Sequence, residues 1–85
     1  MSYLYREAVL KWGVNHQMGV AVEEMAEAIA QITQYMNRSR GTKSEVVHEI
    51  ADVCIMMEQM KIIFGKELDQ AIETKLKKLE EHING

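Results

Sequence analysis

The chain has 85 residues, 47% of them apolar, with seven methionines, five glycines, no proline and a formal charge of −3. That length allows one domain, spanning 1–85, and the composition suits an all-α protein over a turn-rich β fold. The acidic balance argues against a general nucleic-acid or anionic-membrane binder, which would carry a basic patch. No apolar run reaches the roughly 18 residues that a membrane span needs, and Arg6 and Glu7 stand where a signal peptide would be apolar. The single cysteine, Cys54, sits in an apolar run and reads as a core residue of a cytoplasmic protein.

In chain order, 2–12 reads as a first helix, with Ser2 as its N-cap, Tyr5, Val9 and Trp12 on one face and Gly13 as its stop. The tyrosines and Trp12 are core by default. Asn15 offers the next N-cap, for a helix reaching about Arg38. Along it Met18, Val22, Met25, Ile29, Ile32 and Met36 step by fours and threes, which predicts a core stripe. Glu24 and Glu27 fall away from that stripe, on a face shared with Val20, Ala28 and Gln31, while Glu23 points elsewhere.

Ser39-Arg40-Gly41 is the predicted loop, and the run from Thr42 to Glu45 matches a capping box that starts a third helix. This helix runs to Phe64 with Val46, Ile50, Val53, Met57, Met60 and Phe64 as one stripe. Val47, Ala51, Cys54, Ile55 and Ile62 make its other side apolar too. A helix apolar nearly all round needs more than one neighbour, which predicts a homodimer or homotetramer. Gly65 is the predicted C-cap. A fourth helix over 67–83 then turns Leu68, Ile72, Leu76, Leu79 and Ile83 toward the bundle and Lys75, Lys77 and Lys78 away from it.

The chemistry concentrates in two tetrapeptides, Glu24-Met25-Ala26-Glu27 and Glu49-Ile50-Ala51-Asp52. Residues i and i+3 share a helix face, so two such helices side by side aim four carboxylates at one point. Like charges held that closely destabilise the fold unless a cation sits between them. Asp52, among Ile50, Ala51, Val53, Cys54 and Ile55, reads as a buried acid with no basic residue within a turn. Oxygen-only ligands select a hard cation, Mg²⁺ or alternatively Mn²⁺. A di-iron site would require Glu-x-x-His pairs, which are missing here. His16, His48 and His82 lack any nucleophile-and-base spacing, and no glycine-rich phosphate loop is present.

The pattern Glu23-Glu24-Met25-Ala26-Glu27, then 21 residues, then Glu49-Ile50-Ala51-Asp52 resembles the EExxE…ExxD signature of MazG-like nucleoside triphosphate pyrophosphohydrolases, the all-α NTP pyrophosphatase superfamily. Trp12-Gly13, Gln17, Phe64-Gly65 and the run 75–79 extend the likeness over most of the chain. His48 and His82 depart from it, at positions where many relatives carry an acid and an arginine.

The resemblance implies a four-helix MazG-like bundle completed by oligomerisation. It implies hydrolysis of a (deoxy)nucleoside triphosphate to the monophosphate and pyrophosphate, in nucleotide-pool housecleaning. Glu24, Glu27, Glu49 and Asp52 would hold Mg²⁺ and act in catalysis, and Lys75, Lys78, Gln17 and Trp12 would contact substrate. Phosphoribosyl-ATP pyrophosphatase, a dUTPase-like relative and a non-catalytic helical oligomerisation module are the alternatives.

Overall fold

The computed structural model describes residues 3–37 and 40–85, so Ser2, Arg38 and Ser39, which figured in the predicted cap and loop, lie outside the described residues. Four helices follow one another: α1 (Tyr3–Trp12), α2 (Val14–Asn37), α3 (Lys43–Phe64) and α4 (Lys66–Asn84). No strand occurs among the described residues. None of the helices is long and apolar enough to cross a membrane.

Two of the three junctions consist of one glycine. Gly13 and Gly65 have φ of +90° and +62°, a region that side-chain-bearing residues avoid. Each amide donates back into the helix it ends, Gly13 to the Val9 carbonyl and Gly65 to the Lys61 carbonyl, both at 2.8 Å. Each glycine carbonyl then accepts the first bonds of the next helix, from Gln17 N at 3.0 Å and Leu68 N at 3.1 Å. The next helix therefore starts at once. Asn15, the predicted N-cap, instead lies within the first turn of α2, and α4 begins at Lys66.

The third junction uses side chains. Thr42 Oγ1 accepts from Glu45 N at 3.1 Å, and Glu45 Oε1 accepts from Thr42 N at 2.9 Å, so the predicted capping box is formed.

Helix α3 is the hub, touching α1, α2 and α4, while α4 touches α3 alone. The α2–α3 pair makes the interior, and it is small: Ala21, Met56 and Met60 are buried, with Met18, Val20, Met57, Ile63 and Leu68 packed against them. Gln17, Glu49 and Gln59 are buried among them.

Helix α2 is turned opposite to its hydrophobic pattern. The predicted core stripe faces outward over much of its length, with Val22 62% and Ile29 68% exposed and Met25 and Met36 also exposed. Gln17, Ala21, Glu24, Ala28 and Gln31 face inward. Small residues at this seam let the helices approach closely, and polar residues pair across it.

Three more expectations are corrected. Cys54 is exposed rather than core, because it lies on the side of α3 that no other helix covers. Trp12, Tyr3 and Tyr35 are exposed. The α4 stripe meets the bundle only at Leu68, and Ile72, Leu76, Leu79 and Ile83 are open. The chain consequently has a radius of gyration of 15.4 Å, where a compact domain of this length has about 12 Å. It exposes 6850 Å², against about 5200 Å² for a compact monomer of its mass.

The capping box gives a stability prediction. Thr42→Ala removes the side-chain acceptor at the start of α3 and should cost about 1 kcal/mol. In thermal melts at matched protein concentration this is a fall of about 4–8 °C, and an unchanged melting temperature would mean that the cap does not hold α3.

Candidate functional site

Helices α2 and α3 run antiparallel with one register over three contacts. Gln17 bonds Gln59, Glu24 reaches Asp52 and Glu27 reaches Glu49, and the two residue numbers of each pair sum to the same value. The i,i+3 spacing of the acids on both helices turns that register into a cluster. One carboxylate oxygen from each of Glu24, Glu49 and Asp52 lies within 4.8 Å of the others. Glu27 stands outside that trio but beside Glu49, so the four predicted carboxylates share one neighbourhood.

Their burial differs from the sequence expectation. Asp52 is exposed, and so are its apolar sequence neighbours Ile50, Ala51 and Cys54, so an apolar flank does not imply burial here. Glu49 is the buried acid, 8% exposed, and its Oε2 has no hydrogen-bond partner. Glu24 is half-buried, and Glu23 and Glu27 are exposed.

Desolvation raises the Glu49 carboxyl above the ordinary glutamate range, and Glu27, Glu24 and Asp52 reinforce the shift. Glu24 is raised for the same leading reason, followed by Asp52, Glu27 and Glu23. No basic side chain offsets this charge: among the described residues the one ion pair is Lys61 with Glu58, both on the surface.

A buried carboxylate with one unpartnered oxygen, set beside three further carboxylates, is costly without a counter-charge. The set fits a hard divalent cation, across which oxygen ligands lie up to about 4–5 Å apart. All four residues offer oxygen, the donor chemistry of Mg²⁺ or Mn²⁺.

The other predicted site residues are placed elsewhere. Lys75 and Lys78 lie on α4, which has no contact with α2. Trp12 is at the surface, with Lys11 Nζ 5.3 Å from its ring centre. Gln17 is buried and bonded to Gln59 and His16. His48 Nδ1 bonds the Ser44 carbonyl at 2.8 Å, away from the acids, and His82 is exposed.

Sequence reading missed Gln59. Its signal was an amide within the run Met56-Met57-Glu58-Gln59-Met60, seven residues beyond Asp52. Compared with protein-family models, with curated proteins and with solved structures, the chain matches none.

The raised carboxyls set a pH dependence. Glu24 and Glu49 bind protons more readily in the folded protein than in the unfolded chain, where a glutamate titrates near about 4.3. Their contribution to stability is therefore full below that value and is lost as pH rises through their folded-state range. The metal-free protein should melt at a higher temperature at pH 5.5 than at pH 7.5. Glu49→Gln should reduce that difference, and millimolar Mg²⁺ should raise the melting temperature at pH 7.5 for the wild type more than for Glu49→Gln. Identical pH and Mg²⁺ responses in the two proteins would remove Glu49 from the site.

Proposed function

We propose that the protein is a MazG-like, Mg²⁺-dependent nucleoside triphosphate pyrophosphohydrolase. The observation carrying this reading is the unpartnered, buried Oε2 of Glu49 within a cluster completed by Glu24, Asp52 and Glu27. Acidic residues on a helix surface are ordinarily solvated. A carboxylate withdrawn from water toward other carboxylates has a reason to exist when a cation joins it.

Glu24, Glu27, Glu49 and Asp52 would hold the cation. When bound, it supplies positive charge to the phosphate oxygens and makes water more acidic. The remaining steps belong to the carboxylates and the substrate. One carboxylate of the cluster orients a water and takes its proton as the oxygen attacks phosphorus in line. The anhydride bond between the α- and β-phosphates breaks, and the products are a nucleoside monophosphate and pyrophosphate. The exposure of Asp52 and Glu27 leaves the cluster open on the side from which a polyphosphate would arrive.

Lys75 and Lys78 enter this scheme through assembly. Within one chain α4 diverges from the body, so these lysines reach a bound triphosphate when α4 lies along another protomer. The apolar stripes left open on α2 and α4 supply the surface for a homodimer or homotetramer. The same surface favours assembly if the protein is instead a non-catalytic oligomerisation module, and hydrolysis separates the two.

Pyrophosphate release measured across the common NTPs and dNTPs should require Mg²⁺ or Mn²⁺. Glu27→Ala and Asp52→Ala, both at exposed positions, should lower kcat/KM at least about a hundredfold while retaining the helical circular dichroism signal. Folded variants with wild-type rates, or a wild type that hydrolyses no nucleotide with either metal, would leave the module as the reading. Equilibrium sedimentation should give a dimer or tetramer, and Leu76→Asp should shift it toward monomer. A monomeric wild type at micromolar concentration would remove the assembly from the proposal.

A further inference from the structure

A second polar arrangement continues the α2–α3 seam beyond the acids. Gln17 and Gln59 are each 4% exposed, and Gln17 Nε2 donates to Gln59 Oε1 at 2.8 Å. Gln17 Oε1 lies 2.7 Å from His16 Nδ1. A carbonyl oxygen only accepts, so His16 Nδ1 carries the hydrogen of that bond. His16 thus orients Gln17, and Gln17 orients Gln59. Reversing the Gln59 amide would set two NH₂ groups against each other in a buried place.

The fixed orientation leaves the Gln59 NH₂ group with one weak acceptor, Met56 Sδ at 3.6 Å. Gln59 also lines a 370 Å³ cleft with Leu4, Tyr5, Ala8, Trp12 and Ile55. This volume lies within the range of small-ligand sites, which combine apolar and aromatic walls with a few placed polar groups. Along α3, Asp52, Ile55 and Gln59 sit at i, i+3 and i+7, on one side of the helix. Seven residues of helix separate Gln59 from Asp52 by about 10 Å, an interval that a nucleoside can bridge between its phosphates and its base.

We propose that this cleft takes the base of the substrate nucleotide and that Gln59 determines specificity by donating to a keto oxygen on the base edge. The inference rests on the nucleotide reading above and names the substrate class that the site prefers. An aromatic ring, Trp12 or Tyr5, packs against the face of the heterocycle. Uracil, thymine, guanine and hypoxanthine present a keto oxygen where cytosine and adenine present an amino group. An amino group opposite Gln59 leaves two donors facing each other, and an unpaired buried donor is what makes such a site selective. Gln17 acts as a positioning residue by engaging the oxygen of the Gln59 amide, which leaves the NH₂ end as the group able to donate to a ligand.

The test compares UTP with CTP and ITP with ATP. For the wild type kcat/KM should favour the keto member of each pair by about tenfold or more. Gln59→Leu should bring both ratios near one. Gln17→Glu places an acceptor-only carboxylate opposite Gln59, reverses its amide and should shift both ratios toward the amino base. Hydrolysis without a keto preference, or ratios unchanged in a folded Gln59→Leu, would overturn the proposal and leave the hydrolase reading standing.

A second measurement covers loss of folding in either glutamine variant and failure of hydrolysis altogether. Trp12 is the chain's one tryptophan, so its fluorescence reports cleft occupancy by nucleosides, which carry no phosphate and need no metal. Uridine and inosine should change it at concentrations several-fold below those needed for cytidine and adenosine. If they do so in a protein that hydrolyses nothing, base binding stands and the hydrolase reading falls. If no nucleoside changes the signal at millimolar concentration, the cleft is no base site.

Discussion

The structure depends on the antiparallel register of α2 against α3. The seam is lined by Gln17, Ala21, Glu24 and Ala28 on one side and by Glu49, Met56, Gln59 and Met60 on the other. Ala21 and Met56 seal its middle. The glutamine pair sets the register at one end, where both amides are buried and a slip would leave them unpaired. With that register in place, the acids two turns away meet without further adjustment. A one-residue change of register on either helix, a shift of about 1.5 Å with a turn of about 100°, would carry the carboxylates away from each other.

Such a seam opposes itself electrostatically. Four carboxylates contribute repulsion, and the buried member has an oxygen with no partner. What offsets it among the described residues is modest: a capping box, two glycine junctions, one amide pair and a core of three buried apolar side chains with five half-buried ones against it. A core of that size is small even for a short domain. Under the proposed function the missing stabilisation comes from two sources, the cation between the acids and the burial of open apolar faces against other protomers. Both would bind the folded state and so raise its apparent stability by mass action.

Much of the local structure was legible in the sequence. Thr42 and Glu45 announce a helix start through their spacing, and Gly13 and Gly65 announce stops because few other residues adopt a positive φ. The meeting of the two acid pairs was legible too, since i,i+3 spacing on two long helices leaves few other arrangements. Orientation was not. Periodicity locates an apolar stripe but does not say what covers it, so the Met18–Met36 stripe of α2 read as the core although much of it faces outward. The same limit explains Cys54 and Asp52, judged buried from apolar flanking residues of which several, Ile50 and Ala51 among them, are themselves exposed. Gln59 stayed hidden because an isolated glutamine in a methionine-rich run has no spacing partner in the sequence. Its partner is 42 residues away across the seam.

The inversion of α2 ties these observations together. A helix with a well-formed apolar stripe packs that stripe inward when the chain must bury its own core. Here the inward face carries Gln17, Glu24 and Gln31, and the stripe is left open. The inward polar face has an amide pair at one end and, in the proposed enzyme, a shared cation at the other to offset its desolvation. Under the proposed function another protomer covers that apolar face, as the exposed stripes on both α2 and α4 invite. On this reasoning site and assembly are linked through the orientation of one helix. Rotating α2 to bury Val22 and Ile29 within the chain would disperse the carboxylates and remove the surface proposed for a second protomer in the same motion.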